Sequence, residues 1–147
     1  MKGRVIIITG LPASGKTTIG KELAGRMNIP FISKDDIKES LFDGLGWKDR
    51  EWSKKVGLIS YDLLYYFVEA LLKASASFVL ESNFKPEFDN LKVAALKEKY
   101  GFEVVQILCK ADGEVLFERF KNRSASGSRH PGHVDITNDD EFKSALL

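Results

Sequence analysis

An apolar strand that runs directly into a glycine-rich loop is the feature that most restricts how this chain can fold. Residues 4–9, RVIIIT, are a β-branched run typical of a strand buried on both faces, as in a parallel sheet. The next eight residues, GLPASGKT at positions 10–17, match the pattern G-x-x-x-x-G-K-[ST]. A helix pattern follows, with Ile19, Leu23 and Met27 spaced by four residues. A strand, this loop and a helix in that order predict a phosphate-binding P-loop.

The chemistry expected of this loop follows from its residue types. Gly10 and Gly15 let the backbone curl so that successive N–H groups point at phosphate oxygens, and the following helix directs its positive end to the same place. Lys16 supplies a full charge to the β- and γ-phosphates, and the Thr17 hydroxyl is an oxygen ligand suited to Mg²⁺. The predicted nucleotide-binding residues are Gly10, Ala13, Ser14, Gly15, Lys16, Thr17 and Thr18, and Lys16 is also predicted to be catalytic.

Beyond the loop, strand and helix patterns alternate along the chain. Further strands are predicted at 29–32, 78–80 and 103–109, and helices at 35–42, 49–74, 86–100, 112–122 and 137–146, with a break at 43–46 and a polar loop at 124–135. In the long helix, apolar residues form a seam with alternate steps of three and four: Val56, Ile59, Leu63, Tyr66 and Ala70. Further apolar residues flank this seam, so burial on more than one side is expected. In the next helix Phe88, Leu91 and Ala95 share one face. Such alternation implies βαβ units and a parallel sheet.

Composition narrows the class of protein further. A length of 147 residues suggests one domain, and the net charge of +1 argues against a protein dedicated to coating DNA or a membrane surface. No apolar stretch approaches the length of a membrane span. The single cysteine, Cys109, fits a core position and a reducing compartment, and no secretion signal is evident, so a cytoplasmic location is expected.

Three carboxylates follow predicted strands, at the sheet edge where α/β proteins bind ligands. Asp35 and Asp36 come after the second strand, and Glu81 ends the third. Asp35 is predicted to accept the proton of an attacking hydroxyl. The alternative is that it caps the helix that begins there. Glu81 is predicted to hold Mg²⁺, in the way of a Walker-B carboxylate, and the alternative is an exposed charge at a strand end.

Arginines cluster at the end of the helix predicted at 112–122. Arg119 and Arg123 share one helical face, and Arg129 lies in the polar loop beyond them. Guanidinium groups stabilise the charge on a transferred phosphoryl group, so a lid that closes over the nucleotide is predicted, with Arg119 and Arg123 catalytic and Arg123 also binding the nucleotide. The alternative is an exposed helix in which the helix dipole favours basic residues near the C-terminus.

Aromatic and imidazole side chains leave two questions open. His130 and His133 flank a Pro-Gly pair near Asp135, and a role facing the substrate or stabilising a turn is favoured over a zinc site. Trp47 and Trp52 enclose two basic residues, and packing of a helix start is favoured over a stacking site for a base.

Four segments together resemble one family. GLPASGKTT, KDDIK, LESNF and ADGEVLFERFKNRSASGSRHPGHVD are similar to P-loop kinases, the family that includes polynucleotide, zeta-toxin-like, gluconate and chloramphenicol kinases and predicted kinases described as AAA-type ATP-binding proteins. The resemblance implies a three-layer α/β P-loop NTPase fold with strand order 2-3-1-4, and ATP with Mg²⁺ as cofactors. It also implies Asp35 as general base and Lys38 at the substrate position where the family has arginine. The family continues into a fifth strand, so the chain is expected to stop short of it.

The function expected from these features is transfer of the ATP γ-phosphoryl group to a hydroxyl of a small-molecule or nucleotide acceptor. One alternative is a polynucleotide 5′-hydroxyl kinase, which the near-neutral charge disfavours. Another is a nucleotide-binding or nucleotide-hydrolysing module without an acceptor, which Asp35 and the paired arginines disfavour. The uncovered edge of the fourth strand also makes pairing with another chain an expectation.

Overall fold

The sheet of the protein is parallel and has the predicted order. The computed structural model describes residues 2–125 and 130–133. In it the strands β1 (Arg4–Gly10), β2 (Phe31–Ser33), β3 (Phe78–Glu81) and β4 (Glu103–Cys109) lie in the order β2-β3-β1-β4. The helices are α1 (Lys16–Met27), α2 (Lys34–Leu45), α3 (Arg50–Lys73), α4 (Pro86–Tyr100) and α5 (Gly113–Ala125), and a 3₁₀ turn follows at Pro131–His133.

The core lies on both faces of β1, because its side chains alternate between them. Val5 and Ile7 pack in a cluster with α3, whose buried residues are Leu64, Val68 and Leu72. Ile6 and Ile8 pack in a second cluster with α1 and the other strands, through Ala24, Val79 and Cys109. Helices therefore cover both faces of the sheet, which confirms the predicted three-layer α/β architecture.

Two helices extend beyond their predicted ends. The predicted break at 43–46 is wrong in its position: α2 continues through Asp43 and Gly44 to Leu45, and the φ of 87° at the following Gly46 leaves the helical region. Asp43 and Gly44 only weaken a helix, whereas the positive φ at Gly46 terminates it. Likewise α5 runs to Ala125, into the predicted polar loop. The rest of that loop apart from 130–133, and the helix predicted at 137–146, lie outside the described residues.

The buried faces of α3 and α4 differ from the predicted ones. In α3 the core face is Val56, Ser60, Leu64, Val68 and Leu72, whereas Ile59 and Tyr66 are 48% and 68% exposed. In α4 the exposed side chains include Phe88 and Leu91, and Asp89 is buried. Small and polar residues occupy buried positions in both helices, so the spacing of the apolar residues alone did not mark the buried side.

The outer strand β4 pairs with β1 alone among the described strands. Val105 and Leu108 on this strand are 42% and 56% exposed. Pairing of this edge with another chain stays a prediction. No helix within the described part of the chain is both long and apolar enough to cross a membrane.

Candidate active site

The P-loop connects β1 to α1 at the carboxyl edge of the sheet, and two glycines make its path possible. At Gly10, φ is 150°, and a Cβ atom would lie 2.5 Å from the Cys109 carbonyl oxygen and 2.6 Å from Oγ of Ser14. At Gly15, φ is 94°, and α1 begins directly after it. A cleft of about 450 Å³ opens here, and its P-loop lining runs from Pro12 to Thr18.

Lys16 lies on the floor of this cleft and is only 8% exposed. Its Nζ donates to the Leu11 carbonyl at 3.2 Å and to Oδ1 of Asn83 at 3.0 Å. Burial lowers the pKa of Lys16, while the charges of Glu81 and Asp35 oppose this shift. The ammonium group is therefore held in place by hydrogen bonds rather than by a solvent shell.

Glu81 joins three elements at the cleft. Thr17 Oγ1, in the first turn of α1, donates to Oε1 of Glu81 at 2.5 Å, and Ser33 Oγ, at the end of β2, donates to Oε2 at 3.0 Å. Glu81 is 3% exposed, so the alternative of an exposed strand-end charge is wrong. A carboxylate beside a hydroxyl is an oxygen donor set that suits Mg²⁺. Across the described residues, no three His, Cys, Asp or Glu side chains converge as a metal site of their own.

One wall of the cleft comes from the first two turns of α2. Asp35, Asp36 and Glu39 line it. Ser33 occupies the N-cap position of α2, so Asp35 lies inside the first turn and does not cap the helix. Burial raises the pKa of Asp36, and Lys21 opposes that shift. The cleft therefore brings acidic groups into the same lining as the loop that is built for phosphates.

Arg119 and Arg123 of α5 line the same cleft. Nη1 of Arg119 approaches the Ala13 carbonyl of the P-loop at 3.5 Å, and the guanidinium of Arg123 lies 5.8 Å from the centre of the Phe120 ring. The structure thus brings both predicted lid arginines to the P-loop, whereas Arg129 lies outside the described residues.

Two predicted site residues, Gly10 and Lys38, do not line the cleft. Gly10 shapes the start of the P-loop, whereas Lys38 lies elsewhere. It is buried, its Nζ lies 5.6 Å from the Phe42 ring centre, and it faces Gly57 of α3. Sequence reasoning missed Ser33 and Asn83 as cleft residues. Their signal was position alone, because each lies at or just past the end of a strand in the parallel sheet.

His130 and His133 lie away from the cleft lining, against α2. Trp47 contacts His130, with ring centres 4.9 Å apart. Trp52 secures the start of α3: its N–H donates to Oδ1 of Asp49 at 2.8 Å and its Nε1 donates to the Gly46 carbonyl at 2.9 Å. Neither tryptophan lines the cleft.

Fold and cleft together define a P-loop kinase-like domain. A family model described as an AAA domain, AAA_33, matches residues 5–145, so the chain belongs to this family. A solved structure from Chloroflexus aurantiacus, described as a "putative kinase", is 41% identical with a TM-score of 0.88, and the match covers 95% of this chain and 78% of that one.

Other similarities are shorter or weaker. Shikimate kinases from Paracidovorax citrulli and Chlamydia pneumoniae are 46% identical over 48 residues and 53% identical over 32 residues. These matches cover 31% and 22% of this chain, but 26% and 18% of the relatives. A chain of the Pnkp1/Rnl/Hen1 RNA repair complex is 15% identical with a TM-score of 0.64 over 99% of this chain and 45% of that chain, which shows a shared fold.

Proposed function

We propose that this chain is an ATP- and Mg²⁺-dependent phosphotransferase that moves the γ-phosphoryl group to a hydroxyl of a small-molecule or nucleotide acceptor. One observation carries the proposal: a single cleft is lined by Lys16 and Thr17 of the P-loop, by Glu81, by Asp35 of α2 and by the arginines of α5. These are the groups that phosphoryl transfer needs, since it depends on positioning and charge stabilisation.

The donor half of the site is the P-loop with its neighbours. Backbone N–H groups from Gly10 to Thr18 bind the phosphates, and Lys16 exchanges its Asn83 contact for phosphate oxygens. Thr17 and Glu81 would hold Mg²⁺, which neutralises charge on the β- and γ-phosphates when bound. Arg119 and Arg123 reach the same cleft and stabilise the charge that develops on the transferred group.

The acceptor half of the site is the wall formed by the first two turns of α2, which carry Asp35. Asp35 takes the proton of the acceptor hydroxyl as the hydroxyl oxygen forms a bond to the γ-phosphorus. The bond from that phosphorus to the bridging oxygen breaks, and ADP leaves. Asp35, Asp36 and Glu39 give this wall a negative charge that disfavours a polyanion such as a nucleic acid. Its relatives make shikimate one acceptor to test.

The experiment is ADP release from ATP and Mg²⁺ with a panel of acceptors: shikimate, gluconate, chloramphenicol, a nucleoside and an oligonucleotide with a 5′-hydroxyl. We expect one small acceptor to raise ADP release well above the rate in water, with loss of the effect in Lys16→Ala. Arg26→Ala is the matched control, because Arg26 pairs with Glu22 on the exposed face of α1. Stimulation by the oligonucleotide alone would favour the polynucleotide kinase alternative. Equal ADP release by wild type and Lys16→Ala would contradict the proposal.

A further inference from the structure

Residues 130–133, His-Pro-Gly-His, form a clasp on α2 that the chemistry described above does not use. His130 is its first contact: Nε2 lies 2.8 Å from Oδ1 of Asp43. The Gly132 N–H donates to Nδ1 of His130 at 3.0 Å, so Nδ1 is the acceptor and the Nε2–H group donates to Asp43. This pairing fixes both the tautomer and the orientation of the ring.

Close packing against Phe42 accompanies this polar contact. Phe42 of α2 is fully buried, with His130 stacked on its ring at 5.4 Å and His133 edge-on at 5.5 Å between centres. A Cβ atom at Gly132 would lie 2.4 Å from a carbon of the Phe42 ring. Position 132 therefore has no room for a side chain, and the fit of the clasp depends on glycine.

The second histidine connects the clasp to the cleft. His133 is 3% exposed, and its Nε2 lies 3.5 Å from Oε1 of Glu39. Nη1 of Arg50, at the start of α3, approaches the His133 carbonyl at 3.5 Å. Glu39 is one of the three carboxylates on the acceptor wall. His133 thus contacts, from outside the cleft, a side chain that lines it.

We propose that His133 is a positioning residue of the acceptor wall, and that the clasp acts through Glu39. The inference rests on the proposed function, since the acceptor is the ligand of that wall. The clasp follows α5 in the chain and contacts α2, so it links the helix that carries Arg119 and Arg123 to the helix that carries Asp35 and Glu39. His133 touches no reacting atom, because its link to the acceptor wall runs through Glu39.

Four variants of the full chain test this inference: His133→Ala, His133→Gln, Gly132→Ala and Glu39→Gln. The reaction is ADP release from ATP and Mg²⁺ with water as the acceptor. We expect His133→Ala and Gly132→Ala to lower kcat about ten-fold and to change the KM for ATP less than about two-fold, because misplacement affects the acceptor side and not the P-loop. His133→Gln keeps a donor near Glu39 and should recover most of the loss. The double variant His133→Ala/Glu39→Gln should have a kcat no lower than that of Glu39→Gln alone.

A purely structural role predicts a different pattern. It would lower kcat and ATP affinity together, or give effects that add to those of Glu39→Gln, and either result would overturn the inference. Lys99→Ala is the matched control, because it removes an exposed ion pair with Glu69 far from the clasp. Unchanged kcat in both His133→Ala and Gly132→Ala would also overturn it.

Amide exchange gives a readout that does not depend on turnover. We expect exchange in α2 to rise about ten-fold or more in Gly132→Ala and His133→Ala, with no change in α1, because the clasp contacts α2 alone of these two helices. Unchanged exchange in α2 would overturn the inference. If wild type releases no more ADP than Lys16→Ala, the proposed function fails, and amide exchange decides separately whether the clasp holds α2.

Discussion

Oγ1 of Thr17 lies 2.5 Å from Oε1 of Glu81, which joins the first turn of α1 to the end of β3 across 64 residues of sequence. The same carboxylate accepts a hydrogen bond from Ser33 at the end of β2. A single buried glutamate therefore fixes the mutual position of the P-loop helix and two strands, and it is one of the two residues proposed to hold Mg²⁺.

Removal of the Thr17 hydroxyl should weaken the benefit of Mg²⁺ for nucleotide binding. In Thr17→Val the cation loses one oxygen ligand. We therefore expect the factor by which Mg²⁺ lowers the Kd for the nucleotide to fall about ten-fold, which corresponds to about 1.4 kcal/mol. Titration of a fluorescent ATP analogue with and without Mg²⁺ measures this. Thr17→Ser keeps the hydroxyl and serves as the control. An unchanged effect of Mg²⁺ in Thr17→Val would show that this hydroxyl is not a ligand.

Replacement of the two P-loop glycines by alanine should lower the free energy of unfolding by different amounts. Gly10→Ala meets backbone strain and two atoms closer than 3 Å, whereas Gly15→Ala has a positive φ but no atom within 4 Å of the new Cβ. We expect Gly15→Ala to lower the free energy of unfolding by about 1–2 kcal/mol, and Gly10→Ala by clearly more. Denaturant unfolding of both variants measures the difference, and equal losses would contradict the geometry.

The P-loop and the parallel sheet could be predicted because the motif and the alternation of strands and helices are local signals, whereas the strand order came from the resemblance to P-loop kinases. The buried faces of α3 and α4 could not be predicted. Ser60 is fully buried in α3, where its hydroxyl donates to the Val56 carbonyl at 2.6 Å. Asp89 is buried in α4, where Oδ1 accepts a hydrogen bond from Tyr65 and Oδ2 accepts one from the Lys85 N–H at 2.6 Å. These buried polar side chains are satisfied by backbone groups or by a residue distant in sequence, and the spacing of apolar residues does not reveal such partners.

The candidate site divides in the same way. Strand ends and the glycine-rich motif were enough to bring Lys16, Thr17, Asp35 and Glu81 into one cleft. Contact between His130 and Asp43 spans 87 residues, and no local pattern encodes a contact between residues so far apart in sequence. Lys38 was assigned by analogy with an arginine position, and its ammonium group instead lies near the Phe42 ring.

The lid arginines should affect catalysis more than binding. We expect Arg123→Ala to lower the rate of ADP release about a hundred-fold, with a smaller loss of nucleotide affinity, because guanidinium groups stabilise charge that develops in the transition state. Single-turnover kinetics and nucleotide titration together measure the two effects. Arg26→Ala, on the exposed face of α1, is the control. An equal loss in rate and affinity would indicate ground-state binding alone.

Tyr61 should make stability depend on pH in the alkaline range. Its hydroxyl donates to the Asn83 carbonyl at 3.0 Å, and burial, with the charges of Asp89 and Asp35, raises the pKa of Tyr61 to about 12. Because the unfolded pKa is about 10, the contribution of Tyr61 to the free energy of unfolding is complete below pH 10 and is lost as the pH rises to about 12. Denaturant unfolding should show wild type losing stability relative to Tyr61→Phe over that range. Tyr66→Phe, which keeps Tyr61, is the control. A constant difference between wild type and Tyr61→Phe, or a loss of stability relative to Tyr66→Phe but not to Tyr61→Phe, would contradict this.

The most direct test follows the label from γ-labelled ATP in the presence of Mg²⁺ and the acceptor panel. We predict that the label appears in an organic phosphate ester of one small acceptor, that Lys16→Ala abolishes its formation, and that Asp35→Asn lowers its rate about a hundred-fold or more. Release of the label as inorganic phosphate alone with every acceptor, at rates that Asp35→Asn leaves unchanged, would contradict the assignment of this cleft as a phosphotransferase site.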